Sequence, residues 1–245
     1  MIKLNFQRQE YKYLLNREQY QQVRHYLLQR GLLPDTYSDQ QPQNRYYLAS
    51  LYLDTPDYQA YWEKKHGVYR RTKYRLRTYA KRGKKETPIF WEVKSKFGNW
   101  QKKDRFQLSW GKTQVMLAAS AKLDDLQAGA SDQALLTKYY FAWIKNNLRP
   151  TLLISYQREP LIDQFYPDFR LTFDSDIQAL PTVDLFSPCR LRPVLPDQVI
   201  MEIKFTGSIP GYMAQINQYF SFSRLALSKY CLGLEACDIV AEENQ

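Results

Sequence analysis

Residues 71–80, RTKYRLRTYA, decide how this chain is read. As a strand, the stretch puts Arg71, Lys73, Arg75 and Arg77 on one face, because side chains alternate with period 2. Thr72, Tyr74, Leu76 and Thr78 fall on the other face and suit a pleated, half-buried surface. Alternate residues stand about 6.8 Å apart, so neighbouring cations repel by about 2.4 kcal/mol at an effective dielectric of about 20. In open water the repulsion is only about 0.6 kcal/mol. The ladder is therefore either solvated, or enclosed and suited to an anion.

The same alternation recurs along the chain. Arg8, Glu10 and Lys12 share a face in RQEYKY, and Glu92, Lys94 and Lys96 do so in WEVKSK. Tyr156 aligns with Arg158, Arg170 with Thr172, Asp174 and Asp176, and Glu202 with Lys204. The opposite faces carry Trp91, Val93, Leu171, Phe173, Met201, Ile203 and Phe205, which need a packed layer. One polar face per antiparallel strand is ordinary. A run of such faces, rich in long cations with carboxylates interleaved, predicts a charged lining inside and helices outside. The carboxylates either pair with neighbouring lysines or hold Mg²⁺ or Mn²⁺, which take oxygen ligands and share them with phosphates.

Charge is concentrated in the same region. Residues 64–105 contain sixteen Lys and Arg against three Asp and Glu, whereas the rest of the 245-residue chain holds nineteen basic and twenty-two acidic residues. Local basicity of this kind points to an anion site rather than to general solubility. With 44% hydrophobic and 15% aromatic residues, the chain can bury a sizeable core. Cys189, Cys231 and Cys237 lack metal-ligand spacing and read as reduced thiols of a cytoplasmic protein. The N-terminal MIKLNFQRQEYKYLL has no apolar signal core, and no run approaches the length of a membrane span.

Strands are expected at FQRQEYKYLL, YYLASLYLDT, the opening ladder, PIFWEVKSKF, WQKKDRFQLSW, TLLISYQREPLI, FRLTFDSDIQAL and QVIMEIKFTG. A charged turn, KRGKKETP, follows the ladder, and Thr55-Pro56-Asp57 and Gly98-Asn99 read as turns. A first helix follows Asn16 as N-cap, with Gln19 at the capping-box position, Tyr20, Val23 and Leu27 as its apolar stripe and Gly31 as its stop. A second helix over 131–148 should turn Leu135, Leu136, Tyr139, Trp143 and Ile144 inward. A third, within 208–224, should bury Ile209, Met213, Ile216 and Phe220, and SKYCLGLEA closes the chain as a short element. Residues 111–132 read as an irregular or short-helical connection.

The ordered set RQEYKY, SLYLDT, RTKYRLRTY, WEVKSK, KKDRF, SYQRE, RLTFD, MEIKF and SKY resembles the VTC domain, the polyphosphate-polymerase domain of vacuolar transporter chaperone complexes. That domain is one of the triphosphate tunnel metalloenzymes. The resemblance implies a single domain over residues 1–240, of α+β class: an eight-stranded antiparallel β-barrel tunnel with flanking helices. It also implies transfer of the ATP γ-phosphoryl group onto a growing polyphosphate chain, with Mn²⁺ or Mg²⁺.

Carried over by motif, Arg75, Arg77, Lys94, Arg158 and Arg170 would contact the reacting phosphates. Lys12, Lys103 and Lys229 would bind phosphate, with Tyr156 and Ser228 adding hydrogen bonds, and Lys73 and Lys204 on the same cationic faces are further phosphate-binding candidates. Glu202 would be the metal ligand, with Glu10 and Glu92 as further candidates. Arg8 stands where the wider superfamily has the first Glu of ExExK, which argues against a two-metal triphosphatase mechanism. The expected partners are ATP, polyphosphate and a membrane protein, with no specific nucleic acid. Hydrolysis of triphosphate by water is a second reading, and polyphosphate or nucleic-acid binding without catalysis is a third. His25 and His66 read as structural or solvated. Removing single arginines from a self-repelling ladder should leave stability intact.

Overall fold

Alternation and capping place the elements where the computed structural model has them, and the structure describes residues 8–79, 88–98, 100–118, 122–126, 129 and 132–240. Most of the KRGKKETP turn and the Asn99 half of the Gly98-Asn99 turn lie outside the described residues. The elements are β1 (Arg8–Asn16), α1 (Arg17–Gln29), β2 (Leu33–Pro34), β3 (Tyr46–Asp54), α2 (Gln59–Lys65), β4 (Arg70–Thr78), β5 (Ile89–Phe97) and β6 (Trp100–Leu108). After these come α3 (Trp110–Leu117), α4 (Gln133–Lys145), β7 (Arg149–Ile162), β8 (Arg170–Pro181), β9 (Arg192–Pro193), β10 (Gln198–Thr206), α5 (Gly211–Phe220) and α6 (Lys229–Ala236). The long strands pair in the order β1-β10-β8-β7-β3-β4-β5-β6, with β2 on β7 and β9 on β8. This is the expected eight-stranded α+β sheet with flanking helices. Among the described residues no pairing joins β1 to β6, so backbone hydrogen bonds do not close the sheet into a barrel. Lys102, Lys103, Asp104 and Arg105 on β6 give that edge the charge that discourages further pairing.

The chain divides into two compact units, one made of residues 1–47, 156–177 and 195–228, the other of 48–155, 178–194 and 229–245. In the first, β1 pairs with β10 and β10 with β8, both antiparallel. The apolar sides of these strands supply Tyr13, Leu15, Leu171, Phe173, Met201, Ile203 and Phe205 to a core completed by α1 and α5. From α1 come Tyr20, Val23 and Leu27, the expected stripe, and from α5 come Met213 and Ile216. The start of α1 is fixed by the expected capping box: Gln19 N donates to Asn16 Oδ1 (2.8 Å) and Asn16 N to Gln19 Oε1 (3.0 Å).

In the second unit, β3, β4, β5 and β6 form an antiparallel run. Trp91, Phe106 and Tyr139 of α4 pack together with ring centroids 5.0–6.0 Å apart, and the Trp91 indole donates to Thr113 Oγ1 of α3. One expected core residue of α4 is misplaced by the sequence reading. Ile144 is 56% exposed, because it falls one residue past the Leu136–Tyr139–Trp143 stripe. Of the two remaining helices, α2 was not foreseen as an element, whereas α3 falls in the connection read as irregular or short-helical. The first begins from Tyr58 in the left-handed region (φ 58°) and is capped by Asp54, whose Oδ1 accepts from Ala60 N.

Replacing the N-cap in Asn16→Ala should lower stability by about 1 kcal/mol with the fold retained. A urea melt of the variant superimposing on the parent would show that the box contributes nothing.

Candidate functional site

The cationic ladder is real, and buried carboxylates hold it together. In the second unit the register runs Tyr52–Arg75–Glu92–Arg105 across four strands and Lys73–Lys94–Lys103 one step along. Directly opposed residues share a face, so this row and the next present Arg75, Lys73, Lys94 and Lys103 together. Glu92, 1% exposed, is the anchor. It accepts from Arg75 Nε at 2.7 Å and lies 2.5 Å from Lys103 Nζ, 3.8 Å from Arg77 Nη1 and 4.0 Å from Arg105 Nε. Burial pushes the Glu92 carboxyl upward, but Arg75, Arg77 and Lys103 outweigh it and hold the group well below the usual carboxylate range. Arg75 also donates to the Tyr52 hydroxyl (3.2 Å), and Arg77 to Ser50 Oγ (3.1 Å).

Tyr52 and Ser50 belong to this face, and sequence reasoning gave them no role. The signal was present in SLYLDT, whose Ser50, Tyr52 and Asp54 alternate with Leu51 and Leu53. The Tyr52 ring stacks on Tyr230 of α6 at 5.0 Å, the Tyr230 hydroxyl donates to Asp54 (2.6 Å), and Lys73 Nζ lies 5.3 Å from the Tyr230 centroid.

In the first unit, Lys12 lies opposite Glu202, and Glu202 opposite Thr172; alongside run Glu10, Lys204 and Arg170. Lys12 Nζ is 3.1 Å from Glu10 and 3.6 Å from Glu202, and donates to the Leu227 carbonyl at 3.2 Å. Glu202 also pairs with Lys204. Arg158 grips Asp174 in a bidentate fork (2.6 and 2.7 Å), and its guanidinium lies 5.4 Å from the Tyr156 ring centroid. Arg170 Nη2 contacts Asp35 at 2.5 Å. Ser228 is half-buried at the end of this unit, and Lys229, half-buried as the first residue of α6, belongs to the second. The predicted residues thus gather into two sets, one per unit, each built around carboxylates.

Two expectations change. Glu92 does not suit a metal, because four cationic side chains already surround it. The arginines are also not mere members of a repelling ladder: Asp174 is fully buried, and Arg158 neutralises it. Arg158→Ala should therefore cost about 3–5 kcal/mol, the penalty for an uncompensated buried charge. A denaturant midpoint equal to the parent's would show that Asp174 does not need its partner.

The charge of the second set depends on pH near neutrality. Although its side chain is 44% exposed, desolvation beside its neighbours lowers Lys103 to about 8, with Glu92 opposing and Arg75 and Arg77 assisting. Burial would raise Tyr52, but Arg75, Arg77 and Lys73 bring its phenol down to about 8. Below about 8 the lysine is charged and the phenol neutral; above it both changes remove positive charge. Affinity for inorganic tripolyphosphate should fall by roughly tenfold from pH 7 to pH 9, one pKa unit of interaction. Lys103→Arg, cationic throughout, should flatten the profile; identical calorimetric profiles for parent and variant would exclude this origin.

These features can be set beside known proteins. No curated protein sequence matches the chain. Among solved structures, a candidate adenylate cyclase from Bacillus halodurans is 17% identical, with 91% of this chain and 95% of that one covered and a TM-score of 0.49. The PH1819 protein of Pyrococcus horikoshii OT3 is 11% identical over 93% and 98%, with a TM-score of 0.46. A candidate adenylyl cyclase of Hippeastrum, described as having a dominant triphosphatase activity, is 10% identical over 91% and 94%, also at 0.46. A family model of the VTC domain matches residues 7–237. That match takes in every strand and helix described above, and the chain belongs to the VTC domain family.

Proposed function

We propose that the chain is a polyphosphate polymerase that transfers the ATP γ-phosphoryl group onto the end of a polyphosphate chain. The observation that supports this reading best is the continuous rows of cations fixed by buried carboxylates, above all the Glu92 row and the Lys73–Lys94–Lys103 row beside it. Along β4 alone, Arg71 to Arg77 span about 20 Å, longer than three linked phosphoryl groups and suited to an extended polyanion. Phosphoryl transfer needs positioning and charge neutralisation more than a covalent nucleophile. A terminal phosphate oxygen of the acceptor attacks the γ-phosphorus, the bond to the β–γ bridging oxygen breaks, and ADP leaves.

In this reading Arg75, Arg77, Lys94, Arg158 and Arg170 contact the reacting phosphates, while Lys12, Lys73, Lys103, Lys204, Tyr156, Ser228 and Lys229 hold the rest of the chain. Arg158 and Arg75 are oriented in advance by Asp174 and Glu92. Family membership brings Mn²⁺ or Mg²⁺ into the proposal. Among the described residues no group of three or more His, Cys, Asp or Glu is assembled. Glu10 and Glu202, bridged by the Lys12 ammonium, nevertheless form a pair whose negative charge already holds a cation. Magnesium-type sites commonly use one or two carboxylates and complete their shell with water and phosphate, so the pair fits. Such an ion would supply neutralisation of the β- and γ-phosphate oxygens. No helix among the described residues is long and apolar enough to cross a membrane; a membrane protein that receives the product remains part of the proposal.

Incubation with ATP and Mn²⁺ should give a ladder of long polyphosphate on a gel, and Glu202→Gln should raise the Mn²⁺ requirement about tenfold or more. Orthophosphate as the sole product would make the chain a triphosphatase, and an unshifted Mn²⁺ titration would remove Glu202 as a ligand.

A further inference from the structure

Thr172 carries a hydroxyl that the protein itself does not use. The residue is 4% exposed, and its Oγ1 is buried without a hydrogen-bond partner among the described residues. It stands on the charged face of β8, two residues from both Arg170 and Asp174 and directly opposite Glu202 on β10. Opposed side chains of this kind have Cβ atoms about 5 Å apart. Thr172 thus sits within a ring of Glu202, Lys204, Arg170 and the Arg158–Asp174 fork.

Burying an unsatisfied hydroxyl is costly, and valine would give the strand the same β-branched shape without it. Glu202 and Lys204 satisfy one another across the same face, so the hydroxyl is not needed to complete their pairing. The carboxylates on this face, Asp174 and Glu202, are already paired with Arg158 and with Lys204 and Lys12, so the acceptor that suits the spare O–H is an anionic oxygen brought by a ligand.

We infer that Thr172 is a further phosphate-binding residue, its hydroxyl donating to a non-bridging oxygen of the phosphoryl group held by Arg158 and Arg170. This rests on the phosphate-site reading of the chain. The hydroxyl adds direction where the cations supply charge. With its fork on Asp174, Arg158 has only its remaining N–H groups to offer a phosphoryl group, and a single directed donor from the strand selects the rotation of that group.

The test is calorimetric binding of inorganic tripolyphosphate at pH 7, which needs no turnover. Thr172→Val should bind about 10- to 100-fold more weakly, the range for a hydrogen bond to a charged acceptor, while melting no earlier than the parent. Thr172→Ser, which keeps the hydroxyl, should bind within about twofold of the parent. If Thr172→Val melts early, Thr172→Ala replaces it, with the same loss expected. Equal affinity of the valine or alanine variant and the parent overturns the assignment while leaving the phosphate site intact. A serine variant as weak as the valine variant also overturns it, since shape rather than the hydroxyl would then be responsible. A parent chain that does not bind tripolyphosphate overturns the phosphate-site reading and this inference with it.

Discussion

Arg75 and Lys103 approach one another only because Glu92 lies between them. At an effective dielectric of about 20, a pair 2.7 Å apart attracts by about 6 kcal/mol, whereas neighbouring cations on the ladder repel by about 2.4 kcal/mol. The carboxylate is drawn on by two close cations and two more distant ones, so attraction exceeds repulsion even though burial of Glu92 costs part of the gain. Without it, the face of β4, β5 and β6 would carry like charges without compensation. With it, the cations are held in fixed positions before any anion arrives. In the other unit Asp174 does the same for Arg158.

Fixing cations in advance has a consequence for catalysis. An arginine in solution loses rotamer freedom when it binds a phosphate, and that loss weakens binding. Arg158, gripped by both oxygens of a buried carboxylate and lying by the Tyr156 ring, has already lost that freedom on folding. The same arrangement makes folding and binding inseparable at this position.

How much of this was legible follows from the range of each interaction. Alternation and capping are local, so every long strand, the Asn16–Gln19 box and the stripe of α1 could be read from neighbouring residues. The gathering of cations on shared faces followed from period 2 alone. Partner choice was not local. Glu92 meets Arg75 and Lys103 through the register of two hairpins, and nothing in WEVKSK says that its carboxylate is 1% exposed rather than open to a metal. Ile144 was misread because it lies one residue past the Leu136–Tyr139–Trp143 stripe, a step of about 100° that turns it to the exposed side. Tyr52 and Ser50 were missed because SLYLDT looks like an apolar strand until its alternation is weighed against the arginines opposite.

The two carboxylate environments differ in what they can still do. Glu92 is enclosed by four cations, so its charge is spent on the protein. Glu202 and Glu10 form ion pairs with Lys12 and Lys204, point charges on flexible stems that can turn toward a phosphate and leave the carboxylates to another cation. Lysine at Lys12 and Lys204, against arginine at Arg75 and Arg158, therefore marks the difference between a site that must exchange partners and one that must not. An arginine at position 12 would grip the pair in a fixed fork and compete with any incoming ion. The ammonium holds the place with less geometric demand and yields it more readily.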